Sequence, residues 1–366
     1  MSEFVTRLRR RKVGGSLDAA RHTAVLLRQV VHGAHSADPA ALIAAVRAAG
    51  ARLVAACHTE LSIGNVVRRV LHVIREEAAA AGGGDAAGGE QRGPSLATLL
   101  EQPAGAASDG GPGSRAVVDK ARRDNAAAKW KVRTAILEGI GELIDELDGI
   151  PALISDQALD HVHANEVILT FGYCRTVHLF LREAAKKRVF SVVVAEGGPS
   201  YEGQRLAADL AADGIATTCI TDSAVFALMA RANMVLVGAH AVLANGGMLG
   251  VSGLHGVALA AQRHAVPFVV LTGLHKLAKV FPHDPDTTLN ELRCPAEVLD
   301  FDALADSLPA DGQGVGPDCH VANPLLDYIP PTLVALFITD TGCHCPSYVY
   351  RLLSELFDQD DDNVGL

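Results

Sequence analysis

The sequence predicts an α/β protein, with a helical N-terminal domain followed by a Rossmann-like, doubly wound parallel sheet domain. Three observations predict it. Before residue 160, apolar residues recur at alternating steps of three and four, the buried stripe of one helix after another. After residue 160, runs of four to six apolar residues alternate with amphipathic stretches, as expected of parallel strands covered on both faces. Right-handed crossovers between such strands wind the sheet in both directions. The expected boundary falls between 155 and 156, giving domains 1–155 and 156–366.

The elements follow in order. Leu17, Ala20, Ala24, Leu27 and Val31 mark one helix, and Ile63, Val66, Val70 and Ile74 a second. Val132, Ile136, Ile140, Leu143 and Leu147 mark a third. Residues 82–114 interrupt them with Gly82–Gly84, Gly88, Gly89, Gly110, Gly111 and Gly113. Such residues bury little and cost ordering entropy, so a flexible inserted loop is expected, with one short apolar turn at Leu96–Leu100. Beyond 160 the expected strands are Val167–Phe171, Phe190–Ala195, Ala216–Ile220, Met234–Val237 and Phe268–Leu271. The expected helices between them are Thr176–Lys186, Gln204–Ala212, Ser223–Ala230 and Gly256–His264. Pro330 and Pro331 break the chain before a last apolar run, Leu333–Ile338. A closing helix, Ser347–Leu356, precedes the acidic Asp358–Asp362.

Composition narrows the function classes. Of 366 residues, 49% are hydrophobic and 20% charged, as in a globular protein with a sizeable core. A formal charge of −10 argues against nucleic acid as a direct partner. No window approaches the roughly twenty unbroken apolar residues of a membrane-spanning helix. Seven cysteines without regular spacing indicate reduced thiols in the cytosol. Near the start, Arg7, Arg9, Arg10, Arg11 and Lys12 crowd together; a transit peptide fits them, but a solvated helix face is the favoured reading.

In an open parallel sheet, ligands sit at the carboxyl ends of the strands. Three loops fall there: Gly172–Arg175, Glu196–Gly203 and Ala239–Gly253. The last holds Asn245-Gly246-Gly247, then Gly250 and Gly253 before a helix, where backbone N–H groups can approach a phosphate. No G-x-G-x-x-G or P-loop accompanies them, and glycines serving loop geometry alone are the commoner case. Cys343-His344-Cys345 with Cys319-His320 invites a zinc reading, but the spacing does not complete four ligands, so no metal is expected. Cys174 is a candidate nucleophile and Asp222 a candidate base. A small core residue and a helix N-cap are the plainer readings of these two.

Longer segments are more specific. VLVGAHAVLANGG followed by GVALAAQRHAVPFVVL resembles a family with two branches: sugar-phosphate isomerases, and the alpha, beta and delta subunits of translation initiation factor 2B. GNVVRRVLHVIREE, NEVILTFGYCRTVHLFLREAAKKRVFSVVVAEGGPSYEGQ and LLDYIPPTLVALFITDTGCHCPSYVYRLLSELF look most like the beta-type subunits. The likeness spans nearly the whole chain outside the glycine-rich insertion.

Set against the isomerase pattern, the resemblance implies a vestigial pocket at Gly172, Gly198, His240, Asn245, Gly246 and Gly247. Gly172 stands where those enzymes carry a cysteine, and Cys174, two residues on, is expected on the wrong side of an alternating strand. His240 replaces an acid, Gly198 a phosphate-gripping Arg, and Val251 roughly a Lys. An isomerisation needs a placed acid/base and a grip on phosphate. The resemblance therefore implies no catalytic residues and no cofactor. It implies a regulatory subunit that pairs with delta, joins alpha, gamma and epsilon, and helps bind initiation factor 2 and sense its phosphorylation. In isolation such a chain is expected to self-associate as a homodimer. Tyr348, Tyr350, Leu353 and Leu356 are the candidate partner-facing set, since they exceed what one edge helix must bury; filling the chain's own core is the competing reading. The alternatives are an isomerase with a rebuilt site and a sensor that binds a nucleotide or sugar phosphate without chemistry.

Overall fold

The computed structural model describes residues 2–34, 38–81, 112–283, 289–300 and 321–357, with side chains for all of these but 81 and 112–129. The predicted insertion lies outside the described residues as far as 111, as do Cys319-His320 and Asp358–Asp362. Pro112–Ser114, expected in the loop, already belong to a helix.

The chain opens with α1 (Ser2–Arg9), α2 (Ser16–Gly33), α3 (Pro39–Val54) and α4 (Leu61–Ala81). Next comes α5 (Pro112–Asp156), 45 residues and therefore about 67 Å long, and a single turn, α6 (Ala158–His161). The stripes read from the sequence are the buried faces. Ala20, Ala24, Leu27 and Val31 of α2 meet Val66, Val70 and Ile74 of α4, all at most 1% exposed, while Ile63 of α4 is buried with Phe4 and Leu8 of α1. Ile136, Ile140, Leu143 and Leu147 of α5 close the bundle. At Gly50 of α3 a Cβ would come within 2.7 Å of Val67, so the glycine lets α3 and α4 approach closely.

The remainder is β1 (Val167–Phe171), α7 (Arg175–Ala185), β2 (Ser191–Ala195), α8 (Glu202–Ala212), β3 (Ala216–Ile220), α9 (Val225–Met229) and β4 (Met234–Gly238). It continues with β5 (Ala241–Val242), β6 (Met248–Val251), α10 (Leu254–Arg263), β7 (Phe268–Leu271), β8 (Leu326–Ile329), β9 (Leu336–Thr339), β10 (Gly342–His344) and α11 (Val349–Leu356). Seven strands form the main sheet in the order β10-β9-β7-β4-β1-β2-β3. All its pairings are parallel except β9 with β10, so the predicted doubly wound α/β class holds.

Three differences from the sequence reading stand out. The stretch 239–253, expected to be one loop, contains the hairpin β5–β6, which pairs with β8 in a separate antiparallel sheet. The expected helix over 223–230 shortens to α9 after a 3-10 turn, Asp222–Ala224. The closing helix begins at Val349 after another such turn, Pro346–Tyr348, because Pro346 suits a first turn.

The sheet has two covers. Ile168, Val192, Val194, Met234, Leu236, Val269, Leu271 and Ile338 face α7, α8 and α5, and their cluster runs unbroken into α2 and α4. Leu169, Val235, Val237, Val270 and Phe337 face α9, α10 and α11. Alternate residues of one strand thus enter different clusters, as the two-residue strand period demands.

Gly203 opens α8 against the end of β2, and a Cβ there would stand 2.1 Å from the Ala195 carbonyl oxygen and 2.8 Å from that of Glu196. Because both obstacles are backbone, Gly203→Ala should destabilise the fold by about 2 kcal/mol, in the range of overpacked sites. Urea denaturation of the two proteins measures the difference.

Candidate functional site

The chain leaves β1 toward β2 on one side and leaves β4 toward β7 on the other, so the β1/β4 boundary is the switch point at which such sheets open a crevice. Gly172–Cys174 and Gly238–His240 line its carboxyl edge. Gly172 takes φ +62°, a left-handed conformation natural to glycine, and this ends the strand alternation. Cys174 consequently lies against Gly238: a Cβ on Gly238 would be 2.3 Å from its Sγ. Contrary to the expectation that Cys174 points away, its thiol fills the switch point.

Gly197, also left-handed at φ +70°, packs on the Gly172 backbone. The next loop is held by Asp222. Its carboxylate accepts the N–H of Gly197 at 2.9 Å and that of Gly198 at 2.7 Å. Asp222 is therefore neither a free base nor the expected N-cap, since it makes no cap bond within its own turn. It ties the end of β3 to the loop after β2, and Gly198 presents its N–H to this internal carboxylate.

The helices close over the crevice. His240 Nε2 donates to the Thr59 carbonyl at 2.9 Å and lies 4.0 Å from Glu60. Glu60 in turn accepts hydroxyl bonds from Ser62 at 2.7 Å and Ser16 at 3.3 Å. Lys276 Nζ donates to the Ala239 carbonyl at 2.8 Å, and Asn65 Nδ2 to the His275 carbonyl at 2.9 Å. Arg11 and Glu291 form an ion pair across the same seam. What remains open is a cavity of about 140 Å³ bounded by Cys57, Glu60, His240 and the apolar Leu8, Val13 and Leu325. Burial pushes the Cys57 thiol pKa up, so it stays protonated there.

Asn245-Gly246-Gly247 follow His240 on the same stretch of chain. These residues make the β5–β6 turn: Leu243 N–H bonds to the Gly247 carbonyl at 2.8 Å and Gly246 N–H to that of Leu243 at 2.9 Å. Asn245 accepts the Gly247 N–H and donates to Tyr328 Oη at 2.7 Å. Gly246, at φ +80°, backs onto Pro346, whose carbonyl oxygen a Cβ would meet at 2.3 Å. The Asn-Gly pair is thus the hairpin signal that sequence reading passed over. Val251 ends β6 with its side chain exposed.

Of the partner-facing set, Tyr350 is 66% exposed, while Tyr348 is half-buried and stacked on His344. Leu356 is half-buried, but Leu353 is 2% exposed and belongs to the chain's own core, which corrects its expected place at a partner surface. Cys343, His344 and Cys345 take separate partners: His161, Tyr348 and Ser347. Among the described residues no group of His, Cys, Asp and Glu is arranged to hold a metal. None of the described helices is long and apolar enough to cross a membrane.

Comparison with known proteins agrees with this scaffold. Residues 12–346 match the initiation factor 2 subunit family. The chain belongs to that family. Two relatives are named translation initiation factor eIF2B subunit beta. The one from Dictyostelium discoideum is 39% identical, the match covering 98% of this chain and 95% of the relative. The one from Schizosaccharomyces pombe is 37% identical, covering 99% and 96%. Among solved structures, a chain of the tetrameric eIF2B-beta2-delta2 complex from C. thermophilum superposes with a TM-score of 0.70 at 26% identity, covering 97% of this chain and 94% of that one. Family membership accounts for the long-range likeness, and the geometry shows what this member does with its crevice: a thiol, a histidine committed to a backbone carbonyl, and helices packed across the opening.

Two outcomes test the geometry. Asp222→Ala strands two backbone N–H groups and should cost about 2 kcal/mol, the scale of hydrogen bonds to a charged acceptor, measured by chemical denaturation. His275 lies 5% exposed under the helices, and neither ring nitrogen has a hydrogen-bond partner among the described residues. Burial first, and Lys276 second, lower its pKa from 6.5 to about 3. The unfolded chain therefore takes up a proton below pH 6.5 that the folded chain refuses until about pH 3. Stability should fall as pH drops through that window, by up to about 1.4 kcal/mol per unit from this group. His275→Leu should remove that component, read from denaturation midpoints at pH 7 and pH 5.

Proposed function

We propose that the chain is a non-catalytic, beta-type regulatory subunit of the initiation factor 2B guanine-nucleotide exchange complex. The observation that carries this reading is a likeness to beta subunits that runs from end to end of the chain. Its direct partner is a delta-type subunit, in line with the beta2-delta2 tetramer of the C. thermophilum protein, and alpha, gamma and epsilon subunits complete the assembly. The protein works in the cytoplasm, where it helps engage initiation factor 2 and sense its phosphorylation.

Its two working parts are the helical region to residue 155 and the sheet region from 156. The second offers the surface for sister subunits. Phe226 on α9, Leu259 on α10 and Tyr350 on α11 are large apolar side chains about half exposed or more, and all three helices cover the same sheet face. Solvent-facing rings and branched chains on one helical layer are what a subunit interface covers.

The geometry of the crevice supports the absence of isomerase chemistry. Moving a proton between two sugar carbons needs a mobile acid/base beside the substrate. Here His240 holds the Thr59 carbonyl through Nε2, Lys276 holds the Ala239 carbonyl, and Asp222 holds the loop at Gly197 and Gly198. Each is a structural tie.

Purification of the tagged chain from its own cells should bring four sister subunits in near-equal amounts. The chain produced alone should sediment as a homodimer or larger species, and Phe226→Glu with Tyr350→Glu should shift it toward monomer. Turnover of methylthioribose 1-phosphate or ribose 1,5-bisphosphate at enzymatic rates by the pure protein would replace this reading with the isomerase one.

A further inference from the structure

Cys343 and Cys345 sit at an edge of the seven-stranded sheet, the first on β10 and the second directly after it, and both are exposed. Their surroundings differ in chemistry. Cys343 Sγ lies 3.0 Å from His161 Nε2 and 3.7 Å from the side-chain oxygen of Gln157. Gln157 caps the single turn α6 and His161 ends it, so this turn delivers the imidazole onto the sheet edge. Gln157 is itself fixed by donating to the Thr339 carbonyl at 2.6 Å. Cys345 faces outward, with Sγ 3.1 Å from Ser347 Oγ, and it precedes the Pro346–Tyr348 turn. The function proposed above uses none of these groups.

We propose that Cys345 and Cys343 form a redox-active dithiol, in which Cys345 attacks a low-molecular-weight disulfide and Cys343, with His161 as its base, resolves the adduct. The ordering follows from the environments. The Ser347 hydroxyl, with backbone N–H groups of the turn, lowers the pKa of the fully exposed Cys345 and favours its thiolate, the nucleophilic form. Burial raises the pKa of Cys343, which therefore waits as a thiol. Burial also lowers that of His161, leaving a neutral ring able to accept a proton at Nε2.

The steps balance. The Cys345 thiolate attacks one sulfur of oxidised glutathione; a Cys345–glutathione bond forms, the old sulfur–sulfur bond breaks, and glutathione thiolate leaves to be protonated by water. Cys343 then gives its proton to His161 and attacks the Cys345 sulfur. The Cys343–Cys345 bond forms, and the second glutathione thiolate departs with the proton from His161. Two thiols have been oxidised and one disulfide reduced to two thiols. An extended chain rises about 3.3 Å per residue, so the two Cα atoms stand about 6.6 Å apart, close to the upper limit a disulfide spans. The bond formed is exposed and hence readily reduced, as suits a reversible modification.

The test incubates the full chain with oxidised glutathione at neutral pH, quenches with acid and maps adducts by peptide mass spectrometry. Wild type should first gain glutathione on Cys345, about tenfold faster than on the exposed Cys219 or Cys294, and then lose it with two hydrogens missing from the peptide holding both cysteines. Cys343→Ser should stop at the Cys345 adduct. His161→Gln should slow the second step about tenfold and leave the first unchanged. Modification of Cys219 or Cys294 as fast as Cys345, or an adduct in wild type as persistent as in Cys343→Ser, overturns the proposal. Circular dichroism of each variant confirms that the comparison is between folded proteins, and Cys343→Ala repeats the trap with an apolar replacement. Neither result depends on assembly with sister subunits.

Discussion

A parallel sheet must be roofed on both faces, and in this protein the two roofs come from different places in the chain. One is local, built by α9, α10 and α11 between and after the strands. The other is shared: α7 and α8 carry the sheet's apolar side into α5, and α5 carries it on into α2 and α4. Because that second cluster has no break, the helical region cannot lift away without uncovering Ile338 of β9 and the outer side of α7. The position of every group at the carboxyl edge follows. His240 and the His275 turn meet Thr59 and Asn65 only because the helices are pinned over the crevice.

That arrangement explains how a ligand fold can serve as an assembly fold. The switch point is still there, and so is a thiol within it, but the polar groups around it point at backbone. A histidine with a free nitrogen over a crevice is a base; one holding a carbonyl of another layer is a rivet. Asp222 is committed in the same way, since a carboxylate accepting two N–H groups of a glycine turn fixes a loop. The buried polar residues Ser62, Asn65 and Thr59 then read as parts of a joint.

Much of this was legible in the residues. The stripes of α2, α4 and α5 are the faces that became buried, and the apolar runs at 167–171, 234–237 and 268–271 are central strands. The failures have physical causes. Met248–Val251 and Leu326–Ile329 are four-residue strands separated by more than seventy residues, and no local pattern announces a pairing that distant. The direction of Cys174 was misjudged because residues two apart on a strand share a face, and the left-handed Gly172 ends the strand before it in any case. Leu353 was misplaced because a short helix at a sheet edge shows the same spacing whether it faces its own core or a partner. Tyr350, one position outside the buried stripe, separates the two cases only once the packing is seen.

The contact between Gly246 and Pro346 has a mechanical consequence. The hairpin turn of the small antiparallel sheet abuts the residue from which the last helix departs, so the two share a fulcrum. A bulge, an insertion or a bound body that shifts the hairpin pushes, besides Tyr328, on the root of α11, and with it the aromatic ring of Tyr350 at the surface. Variation in the turn is thereby converted into a change of angle at the far end of a short lever, and the absent side chain at 246 keeps that lever at rest.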